Sequence, residues 1–178
     1  MGYSTYFDGE FTVTPPLTPA HREYLEAFRD TRRMKRNPLI ADTFPDPLRV
    51  AVGLPVGDGG QYCVGSNRLN SGQDHDASIL DYNKPPHDQP GLWCQWVPSE
   101  DGSLIVWDEG EKFYNYTEWL KYIIAHFLRP WGYKLSGTVS WQGDDDSDRG
   151  VIYARDYDVE EVCDTIGNAG PSWEREPA

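Results

Sequence analysis

The sequence has little cysteine, no long apolar run and no recognisable leader. Its three cysteines, Cys63, Cys94 and Cys163, are an odd number at spacings that suit no disulfide framework, and reduced thiols are typical of the cytosol. No run approaches the roughly 20 apolar residues that cross a bilayer, and the first residues lack the basic and apolar regions of a secretory signal. We therefore expect a cytoplasmic protein that does not span a membrane.

The sequence also lacks the common catalytic motifs. No Ser-His-Asp, HExxH or GxSxG arrangement occurs, and the glycine-rich residues 57–60 are not followed by the Lys-Ser/Thr pair of a phosphate-binding loop. No cofactor is implied by any motif. Function must therefore be argued from charge and architecture.

Positive charge is scarce, because 29 acidic residues face 16 lysines and arginines and give a formal net charge of −13. Such a surface repels nucleic-acid phosphates and attracts basic proteins. We expect a small acidic binding protein that engages a basic protein partner, as an immunity protein, an antitoxin or a nucleic-acid mimic does. Direct nucleic-acid binding is not expected.

What the chain does contain is aromatic residues, and six of its seven tryptophans lie between Trp93 and Trp141. Alternating apolar residues predict strands at 3–7, 10–14, 92–97, 103–107, 133–141 and 151–154. The segments 92–107 and 133–154 read as hairpins around turn-forming residues. These rings are expected to build the core.

Two helices are predicted. The first begins at Thr18, a good N-cap followed by Pro19, and ends at Asn37-Pro38. One face is apolar, and a second stripe is expected to face outward as a candidate surface for phosphate, a nucleotide or an acidic partner. The competing interpretation, which the excess of acids favours, is that this stripe is paired within the chain or simply solvated. That stripe consists of Arg22, Arg29, Arg33 and Arg36.

The second helix is expected to begin at Asn115. Glu118, three residues on, completes a capping box, and Tyr114 with Trp119 forms a hydrophobic staple. Its apolar residues recur at helical spacing, and Pro130 with Gly132 ends it.

Strands in hairpins together with two amphipathic helices predict an α+β fold. We expect a two-layer sandwich, an antiparallel sheet with both main helices on one face, in a ferredoxin-like arrangement. A single domain should span residues 1–163, with a long irregular insertion at 37–90 and a frayed tail at 164–178. Within the insertion we expect a helical turn at 46–52 and a short strand at 61–64.

The alternative to a binding protein is a small-molecule or nucleotide-handling enzyme, with a cleft between the aromatic core and the 37–90 insertion. Its candidate polar groups are His75, Asp76, His87 and Glu111. Candidate ligand-binding aromatics are Trp93, Trp96, Tyr114 and Trp119, for which a place in the core is the competing interpretation. A regulatory subunit that acts through oligomerisation is a third possibility.

Metal binding is weakly indicated. Asp144, Asp146 and Asp148 resemble the start of a calcium loop, but Arg149 replaces its glycine and Arg155 its bidentate glutamate. Four potential zinc ligands, Cys63, His75, His87 and Cys94, lack the two-to-four-residue spacing of structural zinc sites. No metal is therefore expected.

Several stretches carry a resemblance to a family. They are MGYSTYF at 1–7, EFTVTPPLTPAH at 10–21, GLWCQWV at 91–97 and WDEGEKFYNYTEWLKYIIAHFLRPWGY at 107–133, followed by WQG at 141–143. Together they resemble a family of small proteins of actinobacteria and their mobile elements. The resemblance implies a cytosolic bacterial protein and supplies no functional residues.

Overall fold

The computed structural model describes residues 2–65, 76–164 and 170–175. In chain order its elements are β1 (Thr5–Thr14), α1 (Pro19–Asp30), β2 (Lys35–Arg36), α2 (Pro38–Ala41), α3 (Pro47–Ala51), β3 (Ile79–Asp81), β4 (Trp96–Pro98), β5 (Leu104–Trp107), α4 (Tyr116–Ile123), a π-helical turn (Ile124–Leu128), α5 (Arg129–Trp131), β6 (Lys134–Gly143), β7 (Arg149–Asp156) and β8 (Asp158–Cys163). Short 3₁₀ turns occupy Asp58–Gly60 and Ser172–Glu174.

The fold is the expected α+β sandwich with an antiparallel sheet. Six strands lie in the order β4-β5-β1-β6-β7-β8, and β2 pairs with β3 in a separate two-stranded sheet. The succession β1-α1-β4-β5-α4-β6 has the strand order of a ferredoxin-like unit, since each main helix connects strands that are separated by one other strand. Strands β7 and β8 extend the sheet beyond β6.

The central pair of strands is longer than expected. The predicted strands at 3–7 and 10–14 are one continuous strand, β1, which pairs with β6 from Thr5↔Gly143 to Thr14↔Lys134. Strand β8 was not predicted. Buried side chains of β1, β6, α1 and α4 form one core, and Phe11, Trp119 and Leu135 are fully enclosed within it.

The first main helix is shorter than predicted, because it ends at Asp30 rather than at Asn37. The Thr31 hydroxyl donates to the carbonyl of Ala27 (2.6 Å), and Thr31 itself has an extended backbone. A side chain that bonds the preceding turn competes with continuation of the helix. The predicted N-cap is confirmed, because Thr18 accepts a hydrogen bond from the amide of His21.

The second main helix begins after Asn115, as predicted, but the capping box is wrong. Asn115 has a left-handed backbone (φ 55°, ψ 37°) and makes no capping hydrogen bond; its side chain donates instead to the Pro90 carbonyl at 2.7 Å. Tyr114 remains half exposed while Trp119 is buried. The start of this helix is therefore fixed by a hydrogen bond to the backbone of the insertion and not by a capping box.

The insertion is more structured than expected, with α2, α3 and β3 in its described parts. The predicted helical turn at 46–52 is α3, whereas residues 61–64 form a turn and no strand. Of the tail, residues 170–175 contact the end of the sheet: Ser172 donates to Glu160, and Arg155 lies over the Trp173 ring. No helix in the described ranges is long and apolar enough to cross a membrane.

Candidate functional site

The predicted outward stripe of arginines does not exist as one surface. Only Arg22 and Arg29 lie on α1, where they pair with Glu26 and with Asp30 and Asp108. Arg33 and Arg36 follow the helix and are buried, because the chain is extended after Thr31. This part of the prediction is wrong because the helix ends at Asp30, and the rotation of 100° per residue that would align the four arginines ends with it.

The two buried arginines have different surroundings. Arg36 donates to Asp76 and Ser78, both at 2.7 Å. Arg33 lies over the Phe28 ring, 4.2 Å from its centroid, and donates to the Cys63 carbonyl at 2.6 Å. Within residues 2–65, 76–164 and 170–175, no carboxylate forms a salt bridge with Arg33.

The candidate ligand-binding aromatics do not form a cleft. Trp96 and Trp119 are buried in the core, and the Trp96 indole donates to the Tyr116 carbonyl at 2.8 Å. Trp93 lines a small pocket of about 230 Å³ beside Arg29, and Tyr114 is half exposed. For Trp96 and Trp119 the competing interpretation is confirmed, because both rings are part of the core.

The candidate catalytic groups are not brought together. Asp76 is bonded to Arg36 and Ser78, whereas His87 pairs with Asp88 at 2.7 Å and is largely exposed. Glu111 is exposed, and its backbone carbonyl accepts from Gln95. His75 lies outside the described residues.

The candidate metal ligands point to different partners. Asp148 accepts from the Tyr3 hydroxyl, Asp144 from the Ser4 amide and Asp146 from Gln142. Cys63 and Cys94 are buried, and burial raises the pKa of the Cys94 thiol to about 12. In the described part of the chain, no group of three His, Cys, Asp or Glu side chains is placed to hold a metal ion.

One face of the sheet carries an open pocket. Along β1 and β6 the buried residues all share one parity, whereas the residues of the other parity, including Tyr6, Asp8, Ser140 and Gln142, are exposed. The register sets Tyr6 beside Gln142 and Asp8 beside Ser140, with Arg149 and Val151 on the next strand. We call the resulting hollow of about 430 Å³ the sheet pocket.

Acidic groups dominate the surroundings of the sheet pocket. Arg149 is its cation, but it is held by Asp164 at 2.6 Å. Asp8 and Glu10 are exposed and form no salt bridge within the described ranges, and the acidic β6–β7 turn (144–148) adjoins the pocket through Gln142. A positive ligand would therefore meet Asp8 and the Tyr6 ring without displacing an existing ion pair.

Tyr6 and Asp8 were not among the predicted site residues. Their signal in the sequence is the alternation of β1, which places both on the face opposite Phe11 and Val13. That signal was obscured because Gly9 interrupts the two predicted strands.

No family model, no curated protein and no solved structure matches this chain.

Proposed function

We propose that this protein binds a basic protein partner through the open face of its sheet, with a lysine or arginine side chain of the partner in the sheet pocket. The observation that carries the proposal is the pocket wall, in which the Asp8 carboxylate and the Tyr6 ring are exposed on the same face and no cation among the described residues is bound to Asp8. A carboxylate next to an aromatic ring suits a guanidinium or ammonium group.

The proposal is also supported by the arginines of the chain, several of which already have partners within it. Several arginines are bonded within the chain: Arg22, Arg36 and Arg49 to carboxylates, Arg33 to backbone carbonyls and Arg149 to Asp164. The excess of acids is therefore left at the surface, where it attracts a basic partner and accelerates association. The free thiols agree with a cytoplasmic location, which we include in the proposal.

The test is a pull-down from a native lysate with three forms of the protein as bait. The test variant replaces Asp8 with Asn and Glu10 with Gln. The control variant replaces Asp42 with Asn and Glu100 with Gln, two exposed acids in the insertion and in the β4–β5 turn, and therefore changes the net charge equally. Binding is measured at about 50 and 300 mM salt, since screening separates charge-driven from apolar contacts.

We expect a stoichiometric basic protein to bind the wild type and the control variant, and to bind the Asp8/Glu10 variant about tenfold more weakly. Absence of a stoichiometric partner at both salt concentrations would contradict the proposal. Equal loss in both variants would assign binding to net charge and not to the sheet face.

A further inference from the structure

A second pocket lies between the insertion and the long second helix. It has a volume of about 490 Å³, and Asp88, Gln89, Glu118, Lys121, Tyr122 and His126 are in its wall. We call it the insertion pocket. It is separate from the sheet pocket, with which it shares no residue.

His126 belongs to the π-helical turn of the second helix. Such turns depart from regular α-helical spacing and are frequent at functional sites. The His126 ring stacks on Tyr122 with centroids 4.0 Å apart, and Nδ1 is 2.7 Å from the Tyr62 hydroxyl. The two rings are thus fixed in position, and burial lowers the pKa of His126, which favours the neutral imidazole.

Gln89 provides a buried hydrogen-bonding group in the same wall. Its side chain is almost wholly buried, and its Nε2 donates to the Gln61 carbonyl (2.7 Å) and to the Tyr122 hydroxyl (3.0 Å). Its Oε1 is buried and accepts no hydrogen bond in the described structure. Buried acceptors are normally satisfied by protein groups or by ordered water, so this oxygen is available to a donor from outside the chain.

The charges of the insertion pocket favour donors over acceptors. Asp88 and Glu118 contribute carboxylates, against the ammonium of Lys121 and the exposed ring of His87, whose Nδ1 lies 2.7 Å from Asp88. The field of Asp88 reaches the interior of the wall, because its charge contributes to raising the pKa of both Tyr62 and Tyr122, after the larger effect of burial. An anion would be repelled by this wall, whereas an N–H donor would be bound by Asp88 and by Gln89 Oε1.

We propose that the insertion pocket binds a small planar molecule that is neutral or cationic and carries amide or amidine N–H groups. Its donors would reach Gln89 Oε1 and the Asp88 carboxylate, and its flat part would pack against the Tyr122–His126 pair. This proposal is independent of partner binding at the sheet face, because the two pockets have no residue in common.

Three probes have nearly the same shape and differ in charge: benzamidine is cationic, benzamide is neutral and benzoate is anionic. Differences in their affinity therefore report the effect of charge. Each is titrated into the intact protein, and binding is followed by NMR through the ring protons of His126 and the amides of Lys121 and Ala125. We expect benzamidine to bind at least tenfold more tightly than benzoate, with benzamide between them.

Two variants and a control locate the interaction. Asp88→Asn changes an exposed residue and should weaken benzamidine about tenfold while leaving benzamide unchanged. Gln89→Met should weaken both N–H donors. Asp58→Asn, an exposed acid in the same insertion but outside the pocket wall, should change neither.

The proposal is overturned by any of three results. One is benzoate binding as tightly as benzamidine. Another is an absence of shifts at His126 and Ala125 with both N–H donors up to about 10 mM. The third is an equal effect of Asp88→Asn and Asp58→Asn, which would assign binding to overall charge. Because the readout is local, these results do not depend on whether the Asp8/Glu10 variant loses its partner.

Discussion

Arg33 donates from Nη2 to the carbonyl of Cys63 at 2.6 Å, while its Nε and Nη1 make no hydrogen bond in the described structure. Arg49, also buried, is by contrast bonded to the Asp46 carboxylate at 3.0 Å and to the Leu54 carbonyl. One buried cation is thus paired with an anion and the other is satisfied in part by backbone oxygens. Burial accordingly lowers the pKa of Arg33.

We predict that Arg49→Met destabilises the protein more than Arg33→Met does. Loss of Arg49 leaves the buried Asp46 carboxylate without its cation, which costs about 3 to 5 kcal/mol. Loss of Arg33 removes a desolvated charge together with its bonds to carbonyls, so the two effects offset each other. The free energies of unfolding in urea compare the variants, and a larger loss for Arg33→Met would contradict the prediction.

Acid should weaken the folded state through His126. Because burial lowers its pKa below the ordinary value of 6.5, the unfolded chain binds more protons as the pH falls. The stability that the neutral ring contributes is complete above the unfolded pKa and is lost as the pH falls through the folded one. Desolvation also lowers the pKa of His21, so acid should weaken the folded state through this residue as well.

We therefore expect His126→Gln to lose less unfolding free energy than the wild type when the pH changes from about 7.5 to 5.5. Urea titrations at both pH values measure the difference. Parallel losses in the wild type and His126→Gln would refute the assignment.

Asn115 has two separate structural roles, which two substitutions distinguish. Asn115→Gly keeps the left-handed backbone accessible and removes only the bond to the Pro90 carbonyl, whereas Asn115→Ala also imposes backbone strain. We predict that Asn115→Ala is the less stable variant by about 1 kcal/mol. Thermal unfolding measures it, and equal melting temperatures would show that the conformation is not strained.

The three thiols should differ sharply in reactivity. Cys63 and Cys94 are buried, whereas Cys163 is exposed at the end of β8. Desolvation raises the pKa of all three thiols, so exposure to the reagent is what separates them. A thiol reagent at about pH 8 should modify one cysteine in the folded protein and three after denaturation. Cys163→Ser should abolish the reaction of the folded form. Modification of a second thiol at the same rate would show that the core opens locally.

The sequence could predict those elements in which one face is buried and the other exposed. Strand β6 is an example, because Leu135, Val139 and Trp141 are buried and alternate with polar residues. Strand β8 could not be recognised in this way, since Asp158, Glu160 and Glu161 place acids on both of its faces. Glu161 is satisfied by the hydroxyls of Tyr116 and Thr117, a long-range contact that periodicity does not reveal.

The pockets were less predictable than the fold. The sequence indicated a cleft at the edge of the insertion, but it suggested Asp76, His87 and Glu111, of which only His87 lines the insertion pocket. His126 and Gln89 were missed because His126 lies in a helix otherwise read as core, and Gln89 in a proline-rich loop. The contact between Tyr62 and His126 joins residues 64 positions apart, which periodicity does not reveal.

The bonds that the insertion makes also determine what a smaller version of this protein would be. Tyr24 donates to the Tyr62 carbonyl, Asn115 to that of Pro90 and Arg33 to that of Cys63, so donors from or next to both main helices end on insertion backbone. Excision of residues 37–90 would leave the buried donors of Tyr24 and Arg33 without these acceptors, and would remove the partner of the exposed Asn115 side chain. We therefore expect a chain reduced to the ferredoxin-like portion to be less stable than the intact protein.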